Sequence, residues 1–270
     1  ILEVKERKGG KEMYEARYWN EDFKIDGDLS KEVWKEAVWS KRFVDVIGGT
    51  PSLYDTRSAI VWNEENLYIA FYAESPYPKA SMKNQGDLLW FGNDIEVFID
   101  GGDTYYELQV NAYNTIYEAF YIWRDAYKQN PLFRKEKCFD VIEQDARVFG
   151  GNHDRKGLHF WNGSHPRGNR WAFLNWHMEG LETAVHVDGF LNDDKNTSKA
   201  VYYEIKMPWR SMKWLALEKS LPPKDGDVWK IFLARYENLR INGTVEAVGW
   251  SLDPIGSDDN HRPELFTPIV

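Results

Sequence analysis

The fold is decided by a stretch of twenty residues, Asn93 to Ala112, which reads NDIEVFIDGGDTYYELQVNA. Two runs of alternating polar and apolar residues flank the pair Gly101-Gly102. Because glycine adopts the positive φ of a two-residue primed turn at little cost, this pattern predicts a β-hairpin. In the tightest arrangement Asp100 faces Asp103, and that contact fixes the pairing of the two strands.

The predicted hairpin has one apolar face and one acidic face, because strand side chains alternate between faces with a period of two. In this register Glu96 lies directly opposite Glu107, and like charges opposed across a ladder are destabilising unless something compensates them. A cation, an arginine, a shared proton or a hydroxyl-rich ligand would do so. A solvated polar face with a register one step different also accounts for the sequence. The apolar face carries Ile95, Val97, Ile99, Tyr106 and Leu108, and the acidic face carries Asp94, Glu96, Glu107 and Gln109.

Composition limits the classes of function. A chain of 270 residues with 43% hydrophobic content can bury one large β domain or two small ones. Its net charge of −9 argues against nucleic acid or an anionic membrane as the main partner, because phosphate binding relies on lysine and arginine. No apolar run reaches the length of a membrane span. Aromatic residues make up 16% of the chain, with 13 Trp and 15 Tyr, which is typical of a binding surface for amphipathic ligands.

Short alternating runs continue on both sides of the hairpin, and each is bounded by turn-forming residues. Ser30 is positioned to cap a short helix that Trp34 anchors, and Pro208 precedes another helical turn. Many short strands with few helices predict an all-β fold, an antiparallel two-sheet β-sandwich of immunoglobulin or jelly-roll type. The other predicted strands lie at 56–62, 67–72, 184–187, 201–207, 228–236 and 245–251.

The order breaks down between Tyr113 and Gly180. These 68 residues contain 14 aromatic side chains but few periodic runs, and a stretch of that length without regular structure tends to be functional. We therefore expect an insertion that folds over the sandwich and forms part of the wall of a site. His153, His159 and His165 lie in it at six-residue intervals, a spacing that matches no common metal-ligand pattern.

Several segments in order resemble a carbohydrate-binding module of family 9. The resemblance covers roughly 20–112 and 181–270, so we expect a single family-9-like domain over 1–270 with an insertion at about 113–180. The segments are Ile25-Asp26-Gly27-Asp28 with Val33-Trp34, Ala59-Ile60-Val61-Trp62 with Asn66-Leu67-Tyr68-Ile69, the hairpin around Asp94 to Asp100, Glu204-Ile205-Lys206-Met207-Pro208-Trp209, Gly226-Asp227-Val228-Trp229, and His261-Arg262-Pro263-Glu264-Leu265-Phe266.

The resemblance implies a site that holds a sugar, often the reducing end of a glucan or xylan chain, between two tryptophans. In the family, one tryptophan stands six residues before the hairpin glutamate, and the matching residues here are Trp90 and Glu96. The other tryptophan lies on a late strand, and here it is Trp250. The second hairpin strand carries a Gln-x-Arg-x-Asn pattern, which here reads Glu107, Gln109 and Asn111. The asparagine is kept, and the two departures change which hydroxyl pattern can be recognised.

The resemblance also implies structural calcium in some members and a secreted, periplasmic or cell-surface location. Hard cations prefer oxygen ligands, and the aspartates in or near turns are Asp26, Asp28, Asp100 and Asp103. No ligand set follows from the sequence, and no other cofactor is expected. The sequence gives no indication of oligomeric state.

The chemistry of a pyranose suits this set of residues. Its apolar C–H faces stack on aromatic rings, and its hydroxyls bond to charged or amide groups around the rim. A clamp on one or two rings is expected to bind with a Kd of about 10 μM to 1 mM.

The alternative is an enzyme: opposed glutamates, Glu96 and Glu107, would be about 5 Å apart at Cβ, a spacing compatible with a retaining glycosidase.

Overall fold

The structure is a computed structural model and describes residues 12–151, 165–216 and 219–270. Within these ranges the regular elements are strands and a few short helices. The strands are β1 (Arg17–Tyr18), β2 (Val44–Asp45), β3 (Thr56–Trp62), β4 (Asn66–Glu74), β5 (Asp94–Asp100), β6 (Thr104–Val110), β7 (Ile116–Trp123), β8 (Arg147–Phe149), β9 (Arg170–Phe173), β10 (Glu182–Asp188), β11 (Ala200–Pro208), β12 (Trp229–Ile241), β13 (Thr244–Ser251) and β14 (Thr267–Ile269). The α-helices are α1 (Glu32–Glu36), α2 (Arg124–Gln129), α3 (Pro131–Lys135) and α4 (Lys213–Ala216), and 3-10 turns lie at Leu89–Phe91, Lys137–Phe139, Trp209–Met212 and Pro263–Leu265.

Two sheets form a β-sandwich, which confirms the all-β prediction. The smaller sheet has the strand order β1-β3-β4-β11-β10, and the larger has the order β2-β13-β12-β5-β6-β7-β9-β8, with β14 paired to β12. All described strand pairs are antiparallel except β1 with β3. The strands predicted from alternation are present, and 56–62 matches β3 residue for residue.

The core lies between the two sheets. The smaller sheet contributes Leu67, Ile69 and Phe71, and the larger contributes the predicted apolar face of the hairpin. Arg235 of β12 also points inward: its Nη1 donates to Thr56 Oγ1 at 2.9 Å and to the carbonyl of Glu74 at 2.8 Å, on the smaller sheet. Odd-numbered residues of β12 up to Arg235 therefore face the core.

The outer face of the smaller sheet is covered by α1. Trp34 is buried there, as the sequence predicts, and its Nε1 donates to Glu204 Oε1 at 2.7 Å. The helix begins at Glu32, and Lys31 rather than Ser30 occupies the residue before it. Lys31 Nζ lies 2.7 Å from Glu204 Oε2, so this buried carboxylate is neutralised and fully engaged.

The central hairpin has the predicted faces but a different register. Gly101 N–H donates to the carbonyl of Thr104 at 2.9 Å, so the turn lies at Gly102-Asp103, one residue later than the sequence predicts. Glu96 consequently pairs with Gln109 and not with Glu107. Gly102 supplies the positive φ, +79°, whereas Gly101 allows close approach of α4: a Cβ on it would lie 2.7 Å from Leu215 Cα.

The region from 113 to 180 is built into the larger sheet. β7 pairs with β6 along its length, and β9 and β8 extend the sheet beyond it. Described segments between these strands, including the one that carries α2 and α3, lie outside the sheet. The expectation of an insertion lying over the sandwich is therefore wrong for β7, β8 and β9, which are strands of the sandwich itself.

Candidate functional site

The outer face of the larger sheet carries a row of polar and aromatic side chains. The strand registers align Ala234, Glu96, Gln109 and Tyr117 across β12, β5, β6 and β7. Because directly paired residues share a face, these side chains lie side by side on one surface, away from the core between the sheets. We call this set, with Asp94 and Glu107 in the adjoining positions, the acceptor row.

Gln109 joins the two glutamates of the acceptor row. Its Nε2 donates to Glu96 Oε1 at 3.0 Å and to Glu107 Oε1 at 2.7 Å. Asn260 Nδ2 donates to Glu96 Oε2 at 2.7 Å, and Tyr121 donates its hydroxyl proton to Glu107 Oε2 at 2.6 Å. The Gln109 amide group thus donates one hydrogen to each of the two neighbouring carboxylates. The sequence analysis had considered a cation, an arginine, a proton or a ligand for compensating these charges.

Burial raises the pKa values of the acids in this row. The pKa of Glu107 is raised to about 7, because desolvation outweighs the hydrogen bonds from Tyr121 and Gln109 that favour its ionised form. The pKa of Asp94 is also raised, by desolvation first and then by repulsion from Glu107 and Glu237. Burial and mutual repulsion thus both favour the protonated forms of these acids.

Two members of the row keep unused acceptor atoms. Among the described residues, neither carboxylate oxygen of Asp94 nor Gln109 Oε1 has a hydrogen-bond donor, although all three atoms are buried. Buried acceptors without donors are costly, typically about 1–3 kcal/mol each. The unsatisfied atoms therefore mark a place where donor groups, such as hydroxyls, would bind favourably.

Trp90 stands at the end of this row. It lies in the 3-10 turn Leu89–Phe91, is 43% exposed, and its ring centroid is 5.0 Å from that of Tyr117 in an edge-to-face contact. Leu89 is buried and anchors the turn, and Asn238 Nδ2 donates to the carbonyl of Phe91 at 3.0 Å. The indole is thus held in a fixed position beside the acceptor row with nearly half of its surface free.

Trp250 lies elsewhere. It pairs with Arg235 on the neighbouring strand and shares that residue's inward face, where it is 4% exposed. The Arg235 guanidinium lies 5.4 Å from the Trp250 ring centroid, and Tyr54 packs edge-on at 6.1 Å. The structure therefore does not bring Trp250 together with Trp90 or the acceptor row.

Tyr236 of β12, next to Arg235, does lie on the face of the acceptor row. It pairs with Asp94 on β5 and with Gly249 on β13. A Cβ at position 249 would lie only 2.5 Å from Tyr236 Cε1, so the tyrosine ring lies flat over the glycine. Residues 236 and 250 fall on opposite faces once the strands are paired, and the sequence alone does not give that pairing.

Asn111 supports the neighbouring loop. Its Nδ2 donates to the carbonyl of Met82 at 2.8 Å, and its Oδ1 accepts from the backbone N–H groups of Tyr113 and Thr115. With these bonds its side chain holds two loops together at the edge of the site. Its amide nitrogen and oxygen are thus both already bonded to the protein, unlike Gln109 Oε1.

The other half of the outer face is covered by the segment 254–266. His261 is buried against Phe98, Tyr105, Tyr121 and Phe149, with its Nδ1 3.1 Å from the Tyr105 hydroxyl. Burial and the nearby Arg170 hold its pKa well below the usual range, so the ring is neutral. This cover was not anticipated from the sequence, and it confines the accessible part of the face to the end with Trp90 and Tyr236.

The turn aspartates considered for calcium are engaged by protein groups. Asp26 lies 2.6 Å from Lys31 Nζ, and Asp28 and Asp100 accept backbone N–H groups. Asp103 pairs with Arg167. In the described ranges no three His, Cys, Asp or Glu side chains come together as a metal site. His153 and His159 lie outside the described residues, and His165 Nε2 is 3.1 Å from Glu264.

No protein-family model matches the chain, and no curated protein matches it either. Solved structures do. A Bacteroides uniformis protein provisionally described as carbohydrate-binding aligns with a TM-score of 0.57 at 11% identity, covering 95% of this chain and 97% of that one. A family-9 carbohydrate-binding module from Caldicellulosiruptor kristjanssonii aligns in its glucose and cellotriose complexes, each with a TM-score of 0.51 at 12% identity, covering 96% of this chain and 94% or 92% of that one.

The chain has the fold of a family-9 carbohydrate-binding module. The resemblance read from the sequence is confirmed at this level. Because these alignments cover 95–96% of this chain, they include most of the 113–180 region. Within the described ranges, no helix has the length and apolar character needed to cross a membrane.

Proposed function

We propose that this protein binds carbohydrate without cleaving it, at the end of the outer face that carries Trp90 and the acceptor row. The observation that carries the proposal is the juxtaposition of an exposed, rigidly held indole with buried acceptors that have no donors, on Asp94 and Gln109. Few ligands combine an apolar face with a rim of hydroxyl donors, and a pyranose does.

In this proposal the C–H face of a sugar ring stacks on Trp90, and its hydroxyls donate to Gln109 Oε1 and the Asp94 carboxylate. Glu96 and Glu107 hold Gln109 in the orientation that leaves Oε1 free. The acceptor atoms are buried in the unliganded state, so a sugar reaches them only after side chains around the acceptor row move. Each hydroxyl that arrives replaces a missing hydrogen bond, which favours a ligand with donors over a purely apolar one.

Tyr236 provides a second platform in place of Trp250. It lies on β12, three strands from Tyr117 on β7, and neighbouring strands are about 4.8 Å apart, which gives a separation of about 14 Å. Such a width accommodates a sugar ring lying over Asp94 and Glu96 between aromatic side chains. The clamp expected from the sequence is thus proposed with a tyrosine as its second wall.

The glucose and cellotriose carried by the Caldicellulosiruptor kristjanssonii module make gluco-configured oligosaccharides the first candidates, with xylan-derived ones next. The absence of the family's arginine at Gln109 removes a bidentate donor and leaves an acceptor in its place. This exchange favours ligands that donate at that position. A role of this kind fits a secreted, periplasmic or cell-surface location.

The geometry does not favour hydrolysis by Glu96 and Glu107. Each of their four carboxylate oxygens accepts a hydrogen bond from Gln109, Asn260 or Tyr121, and both side chains are buried. The pKa of Glu107, about 7, would suit a general acid. A glycosidase pair, however, must reach the scissile bond and a water molecule, and these carboxylates are directed to protein donors.

Calorimetric titration against gluco-, xylo-, manno- and galacto-oligosaccharides tests the proposal, with reducing-end-blocked versions as matched ligands and product analysis on the same samples. We expect saturable binding with a Kd of about 10 μM to 1 mM and no new products. Loss of binding on blocking would identify the reducing end as the recognised group. Shorter sugars in the product analysis, or no heat with any member of the panel, would contradict the proposal.

A further inference from the structure

A cavity of about 370 Å³ opens between the two sheets at the end of the sandwich away from Trp90. Its floor is formed by side chains of the sandwich interior, among them Leu67 and Ile231, and its walls are aromatic. Trp229, which lines it, starts β12, whereas Tyr236 of the acceptor-row face lies seven residues further along the same strand. At about 3.3 Å per residue the two places are about 23 Å apart, and they lie on opposite faces of the sheet.

Three indoles and a phenol line this cavity. Trp209 and Trp229 pack with ring centroids 5.6 Å apart and planes inclined at 42°, and Trp62 meets Tyr18 edge-on at 5.1 Å. Trp62 ends β3 and Tyr18 lies in β1, so one wall is the parallel pair at the edge of the smaller sheet. Tyr18 is 42% exposed, which leaves this wall open to an incoming ligand.

The indole N–H groups differ in how they are satisfied. Trp209 Nε1 donates to the carbonyl of Asn63 at 2.8 Å, and Trp62 Nε1 donates to the carbonyl of Ala16 at 3.2 Å. Trp229 Nε1 is buried and has no acceptor among the described residues. A ligand oxygen that reaches Nε1 from the cavity would satisfy a donor that the described chain leaves unpaired.

The rim carries both signs of charge. Arg17 and Lys224 stand at it together with Glu15 and Asp225. An anion or a cation of high charge would meet a like charge on one side, whereas a neutral ligand with many hydroxyls can donate to the carboxylates and accept from the cations. The volume lies at the lower end of the range of small-ligand pockets, which suits one or two sugar rings.

We propose that this cavity is a second carbohydrate-binding site, for one or two pyranose rings, formed by Tyr18, Trp62 and Trp229. It shares no residue with the acceptor row and does not depend on it. The sugar stacks on the exposed side of the aromatic wall, and the mixed rim binds its hydroxyls.

Indole ¹H–¹⁵N spectra recorded during titration with cellotriose, xylotriose and mannotriose separate the two sites, because each tryptophan gives its own signal. Single Trp→Phe substitutions assign the signals of Trp62, Trp90 and Trp229. The titration is repeated on the Trp90→Ala variant. We expect at least one trisaccharide to shift the Trp62 and Trp229 signals saturably in both proteins.

The Tyr18→Ala variant tests the cavity directly, since Tyr18 is exposed and its loss leaves the core intact. We expect it to raise the Kd obtained from the Trp62 and Trp229 signals about tenfold and to leave the Kd obtained from the Trp90 signal unchanged. Trp39→Ala, at a partly buried tryptophan on the outer face of the smaller sheet, serves as the matched control and should change neither set.

The outcomes distinguish the two proposals. Shifts at Trp90 alone would overturn the cavity site while leaving the acceptor-row site in place. Shifts at Trp62 and Trp229 alone would support the cavity and overturn the acceptor-row site. Stationary Trp62 and Trp229 signals at 10 mM of all three trisaccharides, about tenfold above the weakest expected Kd, would overturn the cavity proposal whatever happens at Trp90.

Discussion

Replacing Trp90 and Trp250 one at a time separates a binding tryptophan from a core tryptophan. Trp90 is 43% exposed and beside the acceptor row, whereas Trp250 is 4% exposed and faces the smaller sheet. We expect Trp90→Ala to weaken carbohydrate binding strongly and to change stability little. We expect Trp250→Ala to lower stability strongly and to change carbohydrate binding little, because Trp250 does not touch the site.

The magnitudes follow from burial. Truncating a buried tryptophan costs about 3–5 kcal/mol, through lost transfer free energy and the cavity left behind, so Trp250→Ala should lower the free energy of unfolding by that amount. Trp90→Ala should lower it by about 1 kcal/mol or less. A tryptophan at the centre of a binding site contributes about 2 kcal/mol or more, which weakens the Kd about 30-fold.

The two quantities are measured separately. Urea unfolding followed by circular dichroism gives the free energy of unfolding, and calorimetric titration with the best oligosaccharide gives the Kd under conditions where each variant is folded. Trp39→Ala is the control for loss of an indole elsewhere. A Kd for Trp90→Ala within threefold of the wild-type value would refute the assignment of the site. Binding lost in Trp250→Ala with full stability retained would refute the assignment of that residue to the core.

Three further outcomes are expected. Because the pKa of Glu107 is raised to about 7, the folded state holds this proton more tightly than the unfolded state, and the stabilisation from this group should be greatest below about pH 4.5 and be lost as pH rises through about 7. Urea unfolding at pH 5 and pH 8 should show a fall in the free energy of unfolding that is smaller in Glu107→Gln. An equal fall in that variant would contradict the prediction. Gly249→Ala should push the Tyr236 ring off the sheet, costing about 1–3 kcal/mol and weakening sugar binding, and unchanged binding would remove Tyr236 from the site. Gly101→Ala should lower the free energy of unfolding by a similar amount, because its Cβ would clash with the backbone of Leu215, and it should leave the Kd of the folded protein unchanged. Thermal unfolding at the wild-type temperature would show that α4 does not pack against Gly101 as described.

Much of the sandwich could be predicted from alternation alone. The faces of the central hairpin and the span of β3 follow from the period of two, which does not depend on the register. The register itself could not be predicted, because two adjacent glycines allow more than one turn. In the observed register Leu215 approaches Gly101 closely, a tertiary contact that no local pattern contains.

β7 was missed because it does not alternate. Its sequence, IYEAFYIW, is apolar or aromatic at nearly every position, since both of its faces are buried: Phe139 and Trp176 pack on Phe120 on one face, and His261 packs on Tyr121 on the other. A strand buried on both faces is hard to distinguish from other apolar runs. The same cover explains why His261 could not be placed: a lone histidine carries no sign of the four rings that surround it.

The candidate site was predicted in part. Glu96, Glu107 and Gln109 were placed on one face from their spacing, and the structure joins them through hydrogen bonds. Trp250 was taken from a family position, and its face depends on the pairing of β12 with β13, which the sequence does not fix. Tyr236, which the sequence analysis did not single out, lies on the face where the clamp hypothesis required Trp250.

A crystal structure of the protein with the oligosaccharide that binds most tightly in the titration panel tests the central claim most directly. We predict a sugar ring stacked on Trp90, with hydroxyl oxygens within about 3.2 Å of Gln109 Oε1 or the Asp94 carboxylate. Occupancy of the end cavity in addition would agree with the second site. A sugar bound away from Trp90, with Asp94 and Gln109 Oε1 still without donors, would contradict the account.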